Sequence, residues 1–317
     1  MSPVFSTEPQ PNYGAIEQVS PMVQRLIAKN PSKFTYHGTG TYLVSKPKSE
    51  EVVIIDPGPN DTDHISALVA AIGNRSVSHL LITHTHLDHS PATASLVEIT
   101  GAPTYGFGPH PLDTTDSNQK KDLDINKNKN SPNPNDSEEG GDLSFEPMVE
   151  LRDGDIIAGD GITFEVLHTP GHISNHLCFA LEEEQTLFTG DHVMGWSTTV
   201  IPAPNGNLSH YLKNLGRLLE RSESLYRPTH GPPLKNPHPY VASLIDHRKK
   251  REAQIIEALN SGPRTIDSLV SEIYAQIDKE LHRAASTSVY AHLLDLARNE
   301  KVQAEPELNL SSQWRLS

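Results

Sequence analysis

The sequence predicts an α/β domain followed by a small C-terminal winged-helix-like α domain, and three observations carry that prediction. Short apolar, β-branched runs alternate with segments of helical periodicity. Each run ends in a block of His, Asp, Thr, Gly and Pro, at the strand end where ligands gather in α/β sheets. Beyond about Pro239 the pattern gives way to three helices and two short terminal strands.

Residues 1–34 show no sustained period and read as a loosely attached N-terminal segment. From Thr35 the signals sharpen: residues 38–41 form a turn, 42–44 a strand and 46–49 another turn. Glu51–Ile55 is a β-branched strand ending in Asp56-Pro57-Gly58, and residues 62–72 have helical spacing. A strand over 79–83 runs into His84-Thr85-His86-Leu87-Asp88-His89. Ser90 then reads as a helix N-cap and Pro91 as the first helical position, the helix reaching about Thr100. Residues 103–106 make a short strand. Residues 110–146 carry nine acids against four lysines with almost no aromatics, a composition that buries no core and predicts a flexible surface insertion.

Strands over 161–167, 176–181 and 186–189 follow, delivering Thr169-Pro170-Gly171-His172 and Gly190-Asp191-His192. A helix over 208–221 and a strand over 225–227 lead to Thr229-His230-Gly231, and a first domain therefore spans 35–236. Residues 237–317 form the second domain, with helices over 238–260, 266–276 and 284–299 and a hairpin of 301–304 with 313–316. Three helices plus a hairpin is the layout of a winged helix.

Composition narrows the function. The chain of 317 residues carries a formal charge of −14, which argues against general affinity for nucleic acid. No run approaches a membrane span, and residues 1–18 lack a basic stretch followed by an apolar core. A cytoplasmic protein with no membrane contact is expected. The single cysteine, Cys178, lies in an apolar run and reads as a buried small residue.

The chemistry concentrates in the run 84–89. His84 and His86 share one side of a chain that is still extended, so two imidazoles can grip one cation. Asp88 and His89 follow where the chain turns and point towards a neighbouring position. So many polar groups at the end of an apolar strand are costly unless something binds them, and imidazole and carboxylate suit zinc, iron and manganese.

In chain order, Asp56, the run His84/His86/Asp88/His89, His172, Asp191 and His230 resemble the five motifs of the metallo-β-lactamase-fold hydrolases. The phrases around His172 and Asp191, together with the helical tail, are most similar to the lactamase-beta-like protein 2 subgroup. The resemblance implies an αββα sandwich with the site at one edge. It implies that His84, His86 and His172 bind one metal ion, that Asp88, His89 and His230 bind a second, and that Asp191 bridges them. Asp56 would orient a ligand, and Asp88 would both bind metal and orient the nucleophile. Two divalent ions are thus expected, zinc first, with iron and manganese as alternatives. A water held between them would ionise near neutral pH, which makes hydrolysis the natural reaction class. His168, His176 and His192 are candidates for protonating the leaving group.

Residue identity disfavours some relatives. The redox diiron branch places a glutamate where this chain has His86, and true metallo-β-lactamases lack the bridging aspartate represented here by Asp191. A small acyl ester or thioester is the preferred substrate, with Trp196 as a pocket wall. Single-stranded RNA is the alternative, for which His247-Arg248-Lys249-Lys250-Arg251 is the candidate basic patch. A third reading, a non-enzymatic DNA-binding winged-helix protein with a metal-sensing domain, is opposed by the intact ligand set and by a third helix offering only Arg298, with Lys301 beyond it. Winged helices also serve as dimer modules, so a homodimer is a further expectation.

Overall fold

Seven strands pair in sequence order into the first sheet: β1 (Glu17–Gln18), β2 (Val23–Ile27), β3 (Gly40–Val44), β4 (Glu51–Ile55), β5 (Ser76–Leu81), β6 (Thr104–Gly106) and β7 (Val149–Glu150). β1 to β4 run antiparallel to their neighbours, and β4 to β7 are parallel. The second sheet holds β8 (Ile156–Gly159), β9 (Ile162–His168), β10 (Leu177–Leu181), β11 (Thr186–Gly190), β12 (Leu225–Pro228) and β13 (Leu234–Lys235), with only β11 and β12 parallel. These coordinates come from a computed structural model, in which residues 3–111, 140–276, 278 and 282–317 are described.

The period of two along each strand explains why the sheets stack. In β4, Val53 and Ile55 face the second sheet, whereas Val52 and Ile54 face the opposite way. In β10, Leu177, Phe179 and Leu181 meet them, and Cys178 and Ala180 point outward. Burial raises the Cys178 thiol to about 12, so it stays a neutral, inert side chain. Leu68 and Ile72 of α1 (Thr62–Ile72) and Leu96 of α2 (Ala92–Thr100) cover the outer face of the first sheet. Leu208, Tyr211 and Leu215 of α3 (Leu208–Leu218), with Val241 and Leu244 of α4 (His238–Asn260), cover the second. Four layers result, the αββα sandwich that the resemblance implied.

The far end of α4 packs with α5 (Ile266–Ile273), α6 (His282–Arg298) and the hairpin β14 (Val302–Glu305)–β15 (Gln313–Leu316) around Ile255, Leu269, Val289 and Trp314. α4 therefore belongs to both cores. Among the described residues no helix is long and apolar enough to cross a membrane.

Three expectations need correction. Residues 1–34 are not a loose segment: β2 pairs along β3, and Val23 and Leu26 are core. Burial on both faces of β2 erases the alternation that would have marked it as a strand. The expected insertion of 110–146 is narrower at its ends, because Asp142 and Phe145 are buried and the Asp142 N–H donates to the Thr85 carbonyl at 2.8 Å. Most of that insertion lies outside the described residues. Finally, Ser90 does not cap α2. Its Oγ donates to Asp142 Oδ2 at 2.8 Å, and Pro91 stands at the cap without a side-chain bond.

Candidate metal centre

The polar blocks at the ends of β4, β5, β9, β11 and β12 meet at one edge of the sandwich. Three groups of side chains each bring their ligand atoms within 4.8 Å of one another: His84, His86 and His172; His84, His89 and Asp191; Asp88, His89 and His230. All seven predicted residues converge. His84 Nε2 lies 2.9 Å from His86 Nδ1, which lies 3.0 Å from His172 Nε2. Nitrogens bound tetrahedrally to one zinc ion stand about 3.3 Å apart, so this spacing fits a shared cation.

The second group is built the same way. His230 Nε2 lies 3.0 Å from Asp88 Oδ2, and His89 Nε2 lies 3.5 Å from the same oxygen. Asp191 stands between the groups. Its Oδ1 is 3.6 Å from His89 Nε2 and 3.5 Å from His230 Nε2, while Oδ2 is 3.8 Å from His172 Nε2. Among the described residues, His89 Nε2, His230 Nε2 and Asp191 Oδ1 are buried and make no hydrogen bond of good geometry, close as His230 Nε2 stands to Asp88. Buried polar atoms are nearly always satisfied, and three orphans aimed at one point fit a divalent cation.

The rings are aimed from behind. Asp56 sits in the left-handed region, φ 50°, at the end of β4. Its Oδ1 accepts the Thr83 N–H at 2.8 Å, and its Oδ2 accepts from Thr83 Oγ1 at 2.7 Å, Thr229 Oγ1 at 2.8 Å and His89 Nδ1 at 2.9 Å. With Nδ1 donating to Asp56, Nε2 is the His89 atom turned to the centre, and it would offer its lone pair there once the ring is neutral. His172 Nδ1 contacts the Val200 carbonyl at 2.7 Å, and His230 Nδ1 the Gly38 carbonyl at 3.2 Å. Gly190 is required before Asp191, because a Cβ there would lie 2.6 Å from His176 Nε2.

Protonation follows the same division. Burial, reinforced by neighbouring imidazoles, holds His84 and His86 well below the usual histidine range, and burial lowers His172. All three present lone pairs. At His89 and His230 burial also opposes charge, but the carboxylates outweigh it: Asp88, Asp191 and Asp56 for His89, Asp191 and Asp88 for His230. Both histidines are raised. Burial disfavours ionised Asp88 and Asp191, yet His89 and His230 keep both carboxyls below their ordinary range.

The proposed leaving-group acids fare less well. His176 contacts Thr169 Oγ1 through Nδ1 at 2.8 Å and accepts the Asp191 N–H at 3.1 Å, so both its nitrogens hold the scaffold. Burial lowers His192 to about 3 and leaves its ring against Tyr211. His168 contacts the Ser174 carbonyl at 2.9 Å and stacks on Phe107. None of the three is placed among the converging ligand atoms.

Trp196 is half-buried, stacked on Tyr36 with ring centroids 5.1 Å apart, and it occupies the space a Cβ of Gly231 would need, next to His230. The basic run is split. Lys249 and Lys250 are exposed, but Arg248 is buried and donates to the Thr199 carbonyl, and Arg251 lies 3.9 Å over the Tyr274 ring. Sequence reasoning missed this, although Val241, Leu244, Arg248 and Ile255 share one helical stripe. It also missed the hydroxyls of Thr83 and Thr229, which donate to Asp56, and of Thr199, which donates to the Asp191 carbonyl.

Comparison with known proteins agrees with the geometry. Residues 38–241 match the metallo-beta-lactamase superfamily, and residues 265–314 the beta-lactamase-associated winged helix domain. The chain is 29% identical over 311 residues to an atrochrysone carboxyl ACP thioesterase of Claviceps purpurea, covering 94% of this chain and 87% of the relative. It is 31% identical to a beta-lactamase-like protein 2 homolog of Caenorhabditis elegans, covering 91% and 88%. A beta-lactamase domain protein from Burkholderia ambifaria superposes with TM-score 0.74 at 19% identity, covering 97% of this chain and 95% of that one. That last likeness speaks for the fold alone.

Proposed function

The chain belongs to the metallo-beta-lactamase superfamily and is a hydrolase carrying the family's associated winged helix domain, and on that premise we propose that it cleaves a small acyl thioester or ester with the help of two divalent cations. Asp191 is the observation that carries the reading, since its two oxygens face two separate clusters of ligand atoms. In this reading His84, His86 and His172 would hold one ion and Asp88, His89 and His230 the other, with Asp191 shared between the two groups. Zinc is the expected metal, and the same donors accept iron or manganese.

Two cations bound there supply Lewis acidity, lowering the pKa of a coordinated water from 15.7 to roughly 7 and polarising the scissile carbonyl. The chain's own residues set the geometry. Asp56 fixes the His89 tautomer, the Val200 carbonyl fixes His172, and His176 holds the backbone of Asp191. Asp88 has a side chain 18% exposed against 4% for Asp191, so it faces the side from which substrate arrives and orients the attacking water. Tyr36 and Trp196 offer an apolar wall beside His230 for the acyl group.

Three features favour an acyl substrate over single-stranded RNA. The matched fungal relative is named a thioesterase, the net charge is −14, and two cations of the basic run are turned inward. The test is a parallel assay of acyl thioesters, lactones and single-stranded RNA with natively purified protein, with and without chelator. Thioester cleavage that chelator abolishes and added cation restores supports the proposal. Cleavage of RNA alone, or turnover indifferent to chelator, refutes it.

A further inference from the structure

Among the described residues, Arg248 is a buried cation with no anionic partner. It is 4% exposed, its charge is disfavoured chiefly by burial, and no carboxylate contributes to holding it there. A guanidinium removed from water at this cost is retained for what its fork holds in place. One arm donates to the Thr199 carbonyl and the other to Ser288 Oγ at 3.1 Å, on α6. The charged group also lies 5.7 Å over the Tyr211 ring, and the Tyr211 backbone packs where a Cβ of Gly171 would sit, adjacent to His172.

Thr199 and Val200 carry the connection onward. Thr199 Oγ1 donates to the Asp191 carbonyl at 2.7 Å and contacts the His192 carbonyl at 3.0 Å. The next residue, Val200, gives its carbonyl to His172 Nδ1 at 2.7 Å. Two consecutive residues thus orient two predicted metal ligands, one through its backbone and one through its ring. The outward carbonyl of the first is gripped from the helix that joins the two domains.

From this chain of contacts we infer that Arg248 is a positioning residue for the metal centre, acting through Thr199 and Val200 on Asp191 and His172, so that the seating of the C-terminal domain sets how firmly the cations are held. The inference rests on the two-cation reading above. Outer partners of metal ligands commonly change affinity or activity by about 10–100-fold when lost, and the coupling here is one residue more remote.

The experiment uses the full chain loaded with Co(II), whose absorption reports ligand geometry independently of turnover. Variants Arg248→Met, Arg248→Lys, Thr199→Val and the Met/Val double substitution are compared with Lys249→Ala, an exposed neighbour. Arg248→Met is expected to shift the cobalt spectrum, to lose cation to a competing chelator about tenfold more readily, and to lower kcat about tenfold with KM within about twofold. Arg248→Lys, with the charge but not the fork, is expected to fall between, and Lys249→Ala to match the parent protein. The double variant is expected to be no worse than the poorer single one, the mark of residues acting in series. A wild-type spectrum and chelator resistance in Arg248→Met, whatever its Tm, would overturn the inference and leave the two-cation reading intact. If that variant does not fold, Arg248→Lys decides alone by the same spectrum. A parent protein that binds no cation overturns both.

Discussion

Replacing Asp56 by asparagine tests the centre without removing a ligand. The carboxylate accepts four hydrogen bonds, one from a backbone N–H that cannot rotate and one from His89 Nδ1. An amide offers one accepting oxygen and one donating nitrogen. Thr83 Oγ1 and Thr229 Oγ1 can turn to accept, but the Thr83 N–H on one side and the His89 N–H on the other cannot both be served. Either the Thr83 N–H is left facing an NH2, or His89 moves its proton to Nε2 and directs it at the second group. The first outcome strands a buried donor, at about 1–3 kcal/mol. The second removes a ligand lone pair. At about 1.4 kcal/mol per tenfold, the same range corresponds to roughly a 5- to 150-fold loss of affinity at the Asp88/His89/His230 position. Dialysed Asp56→Asn protein is therefore expected to retain the His84/His86/His172 ion and lose most of the other, by elemental analysis, with hydrolysis falling in proportion. Two tightly held ions and parental kcat in the folded variant would refute the tautomer argument.

Either His86→Ala or Asp191→Ala is expected to abolish hydrolysis while circular dichroism stays native, and elemental analysis should fall from about two ions per chain; parental turnover would remove these residues from the centre. The metal-free protein should lose stability as pH falls from about 7 to about 5. Burial lowers His84, His86, His172, His176, His192 and His292 below the ordinary histidine value of about 6.5, so the unfolded chain binds more protons there and their contribution is present above that value and lost below it. His89 and His230, raised by carboxylates, act oppositely but are fewer; urea midpoints that stay flat or rise on acidification would contradict the balance. Replacing residues 114–139 by a short flexible linker should leave turnover within a few-fold. Extending the same deletion through Asp142 should lower it much further, because Asp142 braces Thr85 and Ser90 beside the ligands; equal activities would show that this brace is dispensable.

The candidate centre was legible because its proposed ligands are concentrated: four fall within residues 84–89, and the others follow closely on the ends of short strands. What the sequence withheld is mostly a matter of aim. Spacing placed His84 and His86 together, but not that one offers Nε2 and the other Nδ1, a difference set by Thr83 behind His84 and by the turn that follows. β2 stayed hidden because a strand buried on both faces shows no alternation. Asp142 was lost inside an acidic, polar stretch, where nothing local separates a carboxylate that accepts from Ser90 from its solvated neighbours.

The basic run teaches the converse lesson, because a charged residue on an apolar helical stripe belongs to the core before it belongs to a partner. α4 places Arg248 and Arg251 at the spacing of Leu244 and Ile255, and both guanidinium groups meet aromatic rings inside the protein. α6, the helix that reads a groove in a DNA-binding winged helix, is likewise occupied. Ala291 joins the core beneath α3, and Asp295 Oδ1 accepts the Ser209 N–H at 3.1 Å and its hydroxyl, an anion against the positive end of α3. A face committed to that contact is not free to enter a groove. On the inference drawn for Arg248, the contacts of the C-terminal domain with α3, α4 and the 199–200 segment give it the role of a clamp on the proposed ligands.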